Sequence, residues 1–190
     1  MQSDEIIIVS GLPRSGTSLL MQMLEAGGAT LLKDDNRLPD EDNPKGYLEF
    51  EPVKNLRSNK EWLPLAKGKV VKVIHALLLD LPSNYQYKII FIHRNVEEVV
   101  ASQTKMLQRA GRTGANMPAD KLCALFTAER NRIINWAREQ NNMSLMECDY
   151  RDILENPLFN AQSISDFLQI ELDTILMAGV IDLSLYRNKV

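Results

Sequence analysis

The chain has 190 residues and a formal net charge of −3, with 45% apolar and 25% charged residues. That length fits one domain over residues 1–190 with a single substantial core. The negative charge argues against a broad basic surface for nucleic acid or an anionic membrane, so any anion site must be a local concentration of positive charge.

No apolar run approaches the roughly 20 residues that span a membrane. The first predicted strand starts near Glu5, which leaves no room for a signal peptide. The two cysteines, Cys123 and Cys148, lie in no recognisable catalytic motif and are expected to be reduced thiols. These features predict a cytoplasmic protein that binds neither nucleic acid nor a membrane.

Apolar runs alternate with segments of helical periodicity along the chain. Buried strands are predicted at Glu5–Ser10, Val70–Ile74, Lys88–His93 and Ser144–Cys148. Helices are predicted at Gly16–Ala26, Val96–Ala110, Ala119–Gln140 and Leu158–Leu168. The alternation predicts an α/β fold of three layers, in which a central, mainly parallel sheet lies between helices. Ligands of such folds bind beyond the carboxyl ends of the strands.

The loop after the first predicted strand has the pattern of a phosphate cradle. Gly11 and Gly16 flank the loop, and both lack a Cβ atom, so several backbone N–H groups can approach one anion. The helix that follows adds its N-terminal N–H groups. Thr17 stands where a Walker A loop carries the lysine that reaches a γ-phosphate, and Arg14 is the only cation of the loop. The pattern therefore predicts a nucleotide whose reactive end is not a γ-phosphate.

A polar segment at residues 33–59 interrupts the alternation of strands and helices. It contains the run from Asn43 to Glu49, in which Pro44 and Gly46 mark a loop. A long loop in a compact domain is usually either functional or disordered. The segment is therefore a candidate lid or acceptor-site element.

Arg94 and Ser102 form the second candidate for an anion site. Arg94 follows the third predicted strand, and Ser102 lies eight residues further along the next helix. An arginine that leaves the end of a buried strand can hold a phosphate with its planar fork. The alternative is a surface arginine paired with Glu97 or Glu98, beside a solvated serine.

Two further residues follow predicted strands. His75 comes after the second strand, where a histidine can take a proton from an attacking hydroxyl, or can simply be a buried structural residue. Asp149 comes after the fourth strand and is similar to a Walker B aspartate, which keeps a kinase or NTPase as an alternative. His93, beside Arg94, is expected to be structural.

Together these segments resemble the sulfotransferases that use 3′-phosphoadenosine 5′-phosphosulfate (PAPS), over residues 6–157. That family has a P-loop-like fold whose first loop cradles the 5′-phosphosulfate. The residues of this chain that match the loop are Pro13, Arg14, Ser15, Gly16, Thr17 and Ser18. The resemblance implies Arg94 and Ser102 as the 3′-phosphate site and Tyr150 as a neighbour of the adenine.

The resemblance also implies an activity: transfer of the sulfuryl group of PAPS to a hydroxyl or amine, which leaves adenosine 3′,5′-bisphosphate (PAP). Negative charge develops on the oxygen that bridges phosphorus and sulfur, so a cation beside it, here Arg14, stabilises the transition state. The reaction needs no metal, and the chain has no cluster with metal-ligand spacing.

The general base has two candidates. Cytosolic members of the family use a histidine, and the run from Lys72 to His75 is similar to their segment except for one extra residue. Tyrosylprotein and heparan-type enzymes use a glutamate after the first helix, for which Glu49 is the candidate and Glu51 a weaker one. A non-catalytic nucleotide-binding module is a further alternative to an enzyme. Arg187 and Lys189, at the end of the chain, are candidates to contact the second phosphate.

Overall fold

A four-stranded parallel sheet lies at the centre of the computed structural model, which describes residues 4–40, 43, 45–109, 111 and 117–186. The strands are β1 (Ile6–Gly11), β2 (Val70–Lys72), β3 (Tyr87–His93) and β4 (Met143–Asp149). Their order in the sheet is β2-β1-β3-β4. Strand β1 is central and apolar, and it pairs in parallel with β2 on one side and with β3 on the other.

Helices cover both faces of the sheet. The α-helices are α1 (Thr17–Ala26), α2 (Val96–Arg109), α3 (Ala119–Arg138), α4 (Tyr150–Glu155), α5 (Pro157–Leu168) and α6 (Thr174–Gly179). Helices α1, α4, α5 and α6 bury their apolar side chains against one face. Helix α3 and short 3₁₀ helices cover the other face. The prediction of a three-layer α/β fold with a parallel sheet is confirmed.

The structure differs from the predicted elements at two places that shape the site. Strand β2 ends at Lys72, two residues earlier than predicted, because Ile74 turns the chain into a 3₁₀ helix at His75–Asp80. The polar segment also contains a 3₁₀ helix, Glu51–Asn55, which has a proline in its first turn. Both short helices lie beside the carboxyl edge of the sheet and narrow the space above it.

The strand order has a direct consequence for ligand binding. Strand β2 lies on one side of β1 and strand β3 on the other, so the direction of the strand order reverses at β1. The space beyond the carboxyl end of β1 is therefore where a ligand of this fold binds. Within the part of the chain that the structure describes, no helix is long and apolar enough to cross a membrane.

Candidate active site

A cleft of about 490 Å³ opens at the carboxyl edge of the sheet. It is bounded by the loop after β1, the end of β2, the start and one face of α2, and the polar segment. The residues predicted from the sequence that line it are Pro13, Arg14, Gly16, Thr17, Ser18, Glu49, Arg94, Ser102 and Tyr150. Segments that are far apart in the sequence thus meet in one cavity.

The loop after β1 is tightly packed at its two glycines. Gly16 has φ 109° and precedes α1, and a Cβ atom there would collide with the ring of Tyr150. A Cβ atom on Gly11 would lie 2.5 Å from the Oγ atom of Ser15 and 2.8 Å from the carbonyl oxygen of Ile92. Both positions therefore require glycine, because any side chain would collide with the neighbouring protein atoms.

Arg14 is held from two directions. Its φ of 68° is in the left-handed region, which few residues other than glycine adopt. Its Nε atom donates a hydrogen bond to Ser102 Oγ at 3.1 Å, and its carbonyl oxygen accepts one from Arg94 Nη1 at 3.3 Å. The first contact orients the guanidinium group and the second holds the loop backbone, so together they join the two anion sites predicted from the sequence.

Arg94 is the centre of a partly buried network. Its Nε atom lies 2.7 Å from Glu98 Oε2, and both side chains are at most 10% exposed. The Tyr186 hydroxyl donates to the other carboxylate oxygen of Glu98 at 2.6 Å. The guanidinium carbon of Arg94 lies 4.7 Å from the ring centre of Tyr150 and 5.4 Å from that of Tyr186. Arg94 thus pairs with Glu98 but lies in the cleft rather than on an open surface.

Lys72 is not among the site residues predicted from the sequence. Its Nζ atom donates to the Tyr47 carbonyl oxygen and, at 3.0 Å, to Ser18 Oγ. Burial lowers the pKa of Lys72 to about 8, while the nearby Glu49 carboxylate acts in the opposite direction. A single lysine within an apolar strand is a signal for such a residue, because an unpaired ammonium group is costly to bury. The signal is not specific, since Lys88 in β3 is also buried but donates to the Leu168 carbonyl oxygen and lies outside the described lining of the cleft.

The polar segment crosses the loop after β1. The Asn43 side-chain amide donates to Ser18 Oγ at 2.7 Å, and the Lys45 ammonium donates to the Val180 carbonyl oxygen at 3.0 Å. Glu49 lines the cleft, with its Oε1 atom 3.3 Å from Arg37 Nη1. The segment therefore brings a carboxylate to the same cavity as Arg14.

The other candidate bases lie elsewhere. His75 is buried, with Nε2 3.2 Å from Glu129 Oε2 on α3, and it is outside the described lining of the cleft. Neither ring nitrogen of His75 makes a hydrogen bond within the described residues. Glu51 pairs with Lys54 at 2.6 Å and is likewise outside that lining. Of the three candidate bases, Glu49, Glu51 and His75, only Glu49 is in the described lining of the cleft.

Asp149 and His93 have structural partners. The Asp149 carboxylate accepts hydrogen bonds from the backbone N–H groups of Arg151 and Asp152, which begin α4. It is therefore a helix cap and lies outside the described lining of the cleft. His93 pairs with Glu147 at 2.6 Å. Among the described residues, no group of three acidic, histidine or cysteine side chains is arranged to hold a metal ion.

The C-terminal segment approaches the site through Tyr186, the last described residue, whose ring packs edge-on against Tyr150 at 5.6 Å between centres. Arg187 and Lys189, candidates to contact the second phosphate, lie outside the described residues. The signal for Tyr186 in the sequence is weak, because a single tyrosine in an irregular segment has no characteristic spacing.

Several solved structures share this fold. The sulfotransferase STF1 from Mycobacterium tuberculosis H37Rv is 18% identical, with a TM-score of 0.62, over 97% of this chain and 73% of that one. Mouse sulfotransferase SULT7A1 is 15% identical, with a TM-score of 0.58, over 98% and 67%. The sulfotransferase domain from the curacin biosynthetic pathway is 16% identical, with a TM-score of 0.54, over 100% and 88%.

No curated protein matches the chain. The model of the sulfotransferase domain family matches residues 4–187, which is nearly the whole sequence. The resemblance inferred from the loop after β1 and from the Arg94 region is therefore confirmed. The chain belongs to the sulfotransferase domain family.

Proposed function

We propose that the cleft binds PAPS along the loop after β1 and transfers its sulfuryl group to a hydroxyl or amine of an acceptor, leaving PAP. Family membership makes the chain a sulfotransferase. The observation that carries the proposal is that Arg14, Lys72 and Glu49 line one cavity beside the glycine cradle. Two similar proteins, mouse SULT7A1 and retinol dehydratase, were crystallised with PAP, which supports this donor.

The residues of the cradle fit the phosphosulfate group. At Gly11 and Gly16 the loop backbone packs directly against Ile92 and Tyr150, which holds the loop and its N–H groups in one tight turn. The Ser15 hydroxyl is buried beside Gly11, outside the described lining of the cleft, so of the matched loop residues Ser15 contributes its backbone rather than its side chain. Helix α1 begins at Thr17 and directs its first N–H groups at the same position.

PAPS supplies an activated sulfur whose bond to the 5′-phosphate oxygen breaks as the acceptor oxygen or nitrogen forms a new bond to that sulfur. Arg14 and Lys72 stabilise the negative charge that develops on the oxygen left on the phosphate. The Ser102 hydroxyl holds the guanidinium group of Arg14, and Arg94 holds the Arg14 backbone through its carbonyl oxygen. Preorganised cations of this kind act more strongly in the transition state than in the ground state.

Glu49 is the proposed general base. Its carboxylate takes the proton that the acceptor hydroxyl or amine loses on attack. Arg37 holds one carboxylate oxygen at 3.3 Å, which orients the group. This assignment is favoured over His75 because Glu49 lines the cleft, whereas the His75 ring is buried against Glu129.

Arg94, Ser102 and Tyr150 are proposed to bind the adenosine end of the donor. The Arg94 guanidinium group pairs with the 3′-phosphate, and its contacts with Glu98 and the rings of Tyr150 and Tyr186 fix its orientation. Ser102 lies between Arg14 and this end, so its hydroxyl serves both. Tyr150 offers an aromatic surface near the adenine.

Calorimetric titration with PAP, compared with ATP and Mg²⁺, tests the donor. We expect PAP to bind with micromolar or tighter affinity and ATP to bind far more weakly, because the loop lacks a lysine for a γ-phosphate. Binding of ATP alone would overturn the proposal in favour of a kinase-like site. Binding of neither nucleotide would point to a module that no longer binds nucleotides.

Arg14→Ala tests the catalytic assignment. We expect a large loss of turnover with little change in PAP affinity, because Arg14 acts on charge that forms during the reaction. Arg57→Ala is the matched control, since Arg57 is an exposed arginine outside the described lining of the cleft that pairs with Asp80. Equal turnover by the two variants would remove Arg14 from the catalytic set.

A cytoplasmic location is part of the same proposal. Cys123 and Cys148 are both unpaired, and unpaired cysteines are typical of reducing compartments. Fractionation of cells that express the chain with a tag tests the location, and recovery from a membrane or secreted fraction would contradict it.

A further inference from the structure

The cleft carries much more positive charge than the chain as a whole. Among the described residues, eight lysines and arginines but only two carboxylates, Glu49 and Asp182, line it. The net charge of the whole chain is −3, so the positive charge is concentrated here. The proposed donor uses Arg14, Lys72 and Arg94, and five further cations line the same cleft.

Two of these further cations, Lys105 and Arg109, lie on α2. Ser102, Lys105 and Arg109 all line the cleft from this helix. At 1.5 Å per residue, Arg109 lies about 10 Å further along the helix axis than Ser102, which contacts Arg14. Lys105 and Arg109 thus lie on the turns of α2 that follow Ser102, on the side away from Arg94.

Apolar side chains also line the cleft. Phe50 and Val53 come from the polar segment, Ile74 and Leu77 from the region after β2, and Met106 from α2. Ile74 is 45% exposed although it is a large apolar residue. Apolar side chains that line an open cleft are typical of a ligand-binding wall.

We propose that the acceptor is a small amphipathic anion, with its nucleophilic group at Glu49, an apolar body against Phe50, Ile74 and Met106, and an anionic group at Lys105 and Arg109. This inference rests on the proposed function, because it takes the donor to occupy the glycine cradle. The Glu49 carboxylate repels the anionic end, so the two ends of the acceptor are distinguished and the nucleophile is directed toward the donor.

Fluorescence titration with 6-hydroxy-2-naphthoate and its neutral methyl ester tests the inference. Both probes have a hydroxyl and the same two-ring body, and they differ in the charge at the far end. In the presence of saturating PAP, we expect the acid to bind roughly fivefold more tightly than the ester, as expected for a partly exposed ion pair. The advantage should shrink as the salt concentration rises.

The double variant Lys105→Gln/Arg109→Gln should remove the preference for the acid and leave binding of the ester unchanged. The matched control is Lys33→Gln/Lys67→Gln, which removes two charges from exposed lysines that lie outside the described lining of the cleft. Ile74→Ala should weaken both probes, because both use the apolar wall.

The possible failures are distinguishable. PAP affinity, measured by calorimetry on the same samples, tests the donor site without either probe. If PAP binds but the acid has no advantage over the ester, or neither probe binds, the acceptor inference is wrong and the donor proposal stands. An acid preference that survives the double variant also overturns the inference, because the anion then lies at other cations. If PAP does not bind, the proposed function itself fails.

Discussion

The Nε atom of Arg14 lies 3.1 Å from the Oγ atom of Ser102, so a residue of the loop after β1 is hydrogen-bonded to a residue in the middle of α2. The two residues are 88 positions apart in the sequence. Arg94 contributes a second link, from its Nη1 atom to the Arg14 carbonyl oxygen at 3.3 Å. The sites predicted for the two phosphate groups of the donor are therefore one connected structure, and a change at either end affects the orientation of Arg14.

The close approach of Gly16 to Tyr150 leads to the first prediction. Gly16→Ala should lower the free energy of unfolding by more than Gly28→Ala. Both glycines have positive φ, 109° and 96°, so either alanine costs about 1–2 kcal/mol of backbone strain. A Cβ atom on Gly16 also collides with the Tyr150 ring, whereas one on Gly28 has no neighbour within 4 Å. The collision should add about 1–3 kcal/mol.

Urea denaturation of the two variants and the wild type measures this difference. Gly28→Ala is the control for backbone strain without a collision. Gly16→Ala should also lose PAP affinity, because Tyr150 must move away from the cradle. Equal stability of the two variants would show that the Tyr150 ring does not pack on Gly16 as described.

The general base is tested by Glu49→Gln, which keeps the shape of the side chain and removes the proton acceptor. We expect kcat to fall roughly 10²- to 10⁴-fold, the usual contribution of general base catalysis, with PAP affinity retained. His75→Asn, the comparison variant, should retain most of its turnover because His75 is buried against Glu129. Steady-state kinetics with one acceptor decides between them, and the reverse pattern would assign the base to His75.

Arg94 requires a variant that separates folding from binding. Arg94→Ala alone leaves the Glu98 carboxylate buried without its partner, which typically costs about 3–5 kcal/mol of stability. Arg94→Ala/Glu98→Gln removes both charges, and the introduced amide oxygen can still accept a hydrogen bond from the Tyr186 hydroxyl. We expect the double variant to regain stability but to bind PAP more than about tenfold more weakly than the wild type, because a charged contact is lost. Wild-type affinity in a folded double variant would exclude Arg94 as a phosphate ligand.

Lys72 should make stability depend on pH. Burial lowers its pKa in the folded protein from 10.5 to about 8, so between these values the unfolded chain binds more protons than the folded chain. The Lys72 contribution to the free energy of unfolding should therefore rise with pH over this range, by about 3 kcal/mol in total. The difference in the free energy of unfolding between the wild type and Lys72→Met isolates the effect, because the tyrosines and cysteines that titrate in the same range are present in both proteins. A difference that does not change between pH 8 and 10.5 would contradict the burial of the charged amine.

Short-range features of the sequence predicted much of the fold. The apolar run before Gly11 is long enough and apolar enough to be a central strand, and β1 begins within one residue of the predicted position. Strand β2 ends earlier than predicted because Ile74 and His75 turn into a 3₁₀ helix that packs on α3, a contact that local propensity does not contain. The 3₁₀ helix at Glu51–Asn55 was missed for a similar reason, since its charged sequence has no helical periodicity.

The sequence by itself determined the cradle, because the glycines, the arginine and the start of α1 are adjacent and their spacing carries the chemistry. It also identified Arg94, Ser102 and Glu49 as candidates. Only the tertiary structure decided which of them meet: it brought Glu49 to the cleft, turned His75 toward Glu129, and added Lys72 and Tyr186. The physical reason is that a strand end specifies where a side chain emerges, whereas its partners come from loops and helices whose positions depend on packing across the whole sheet.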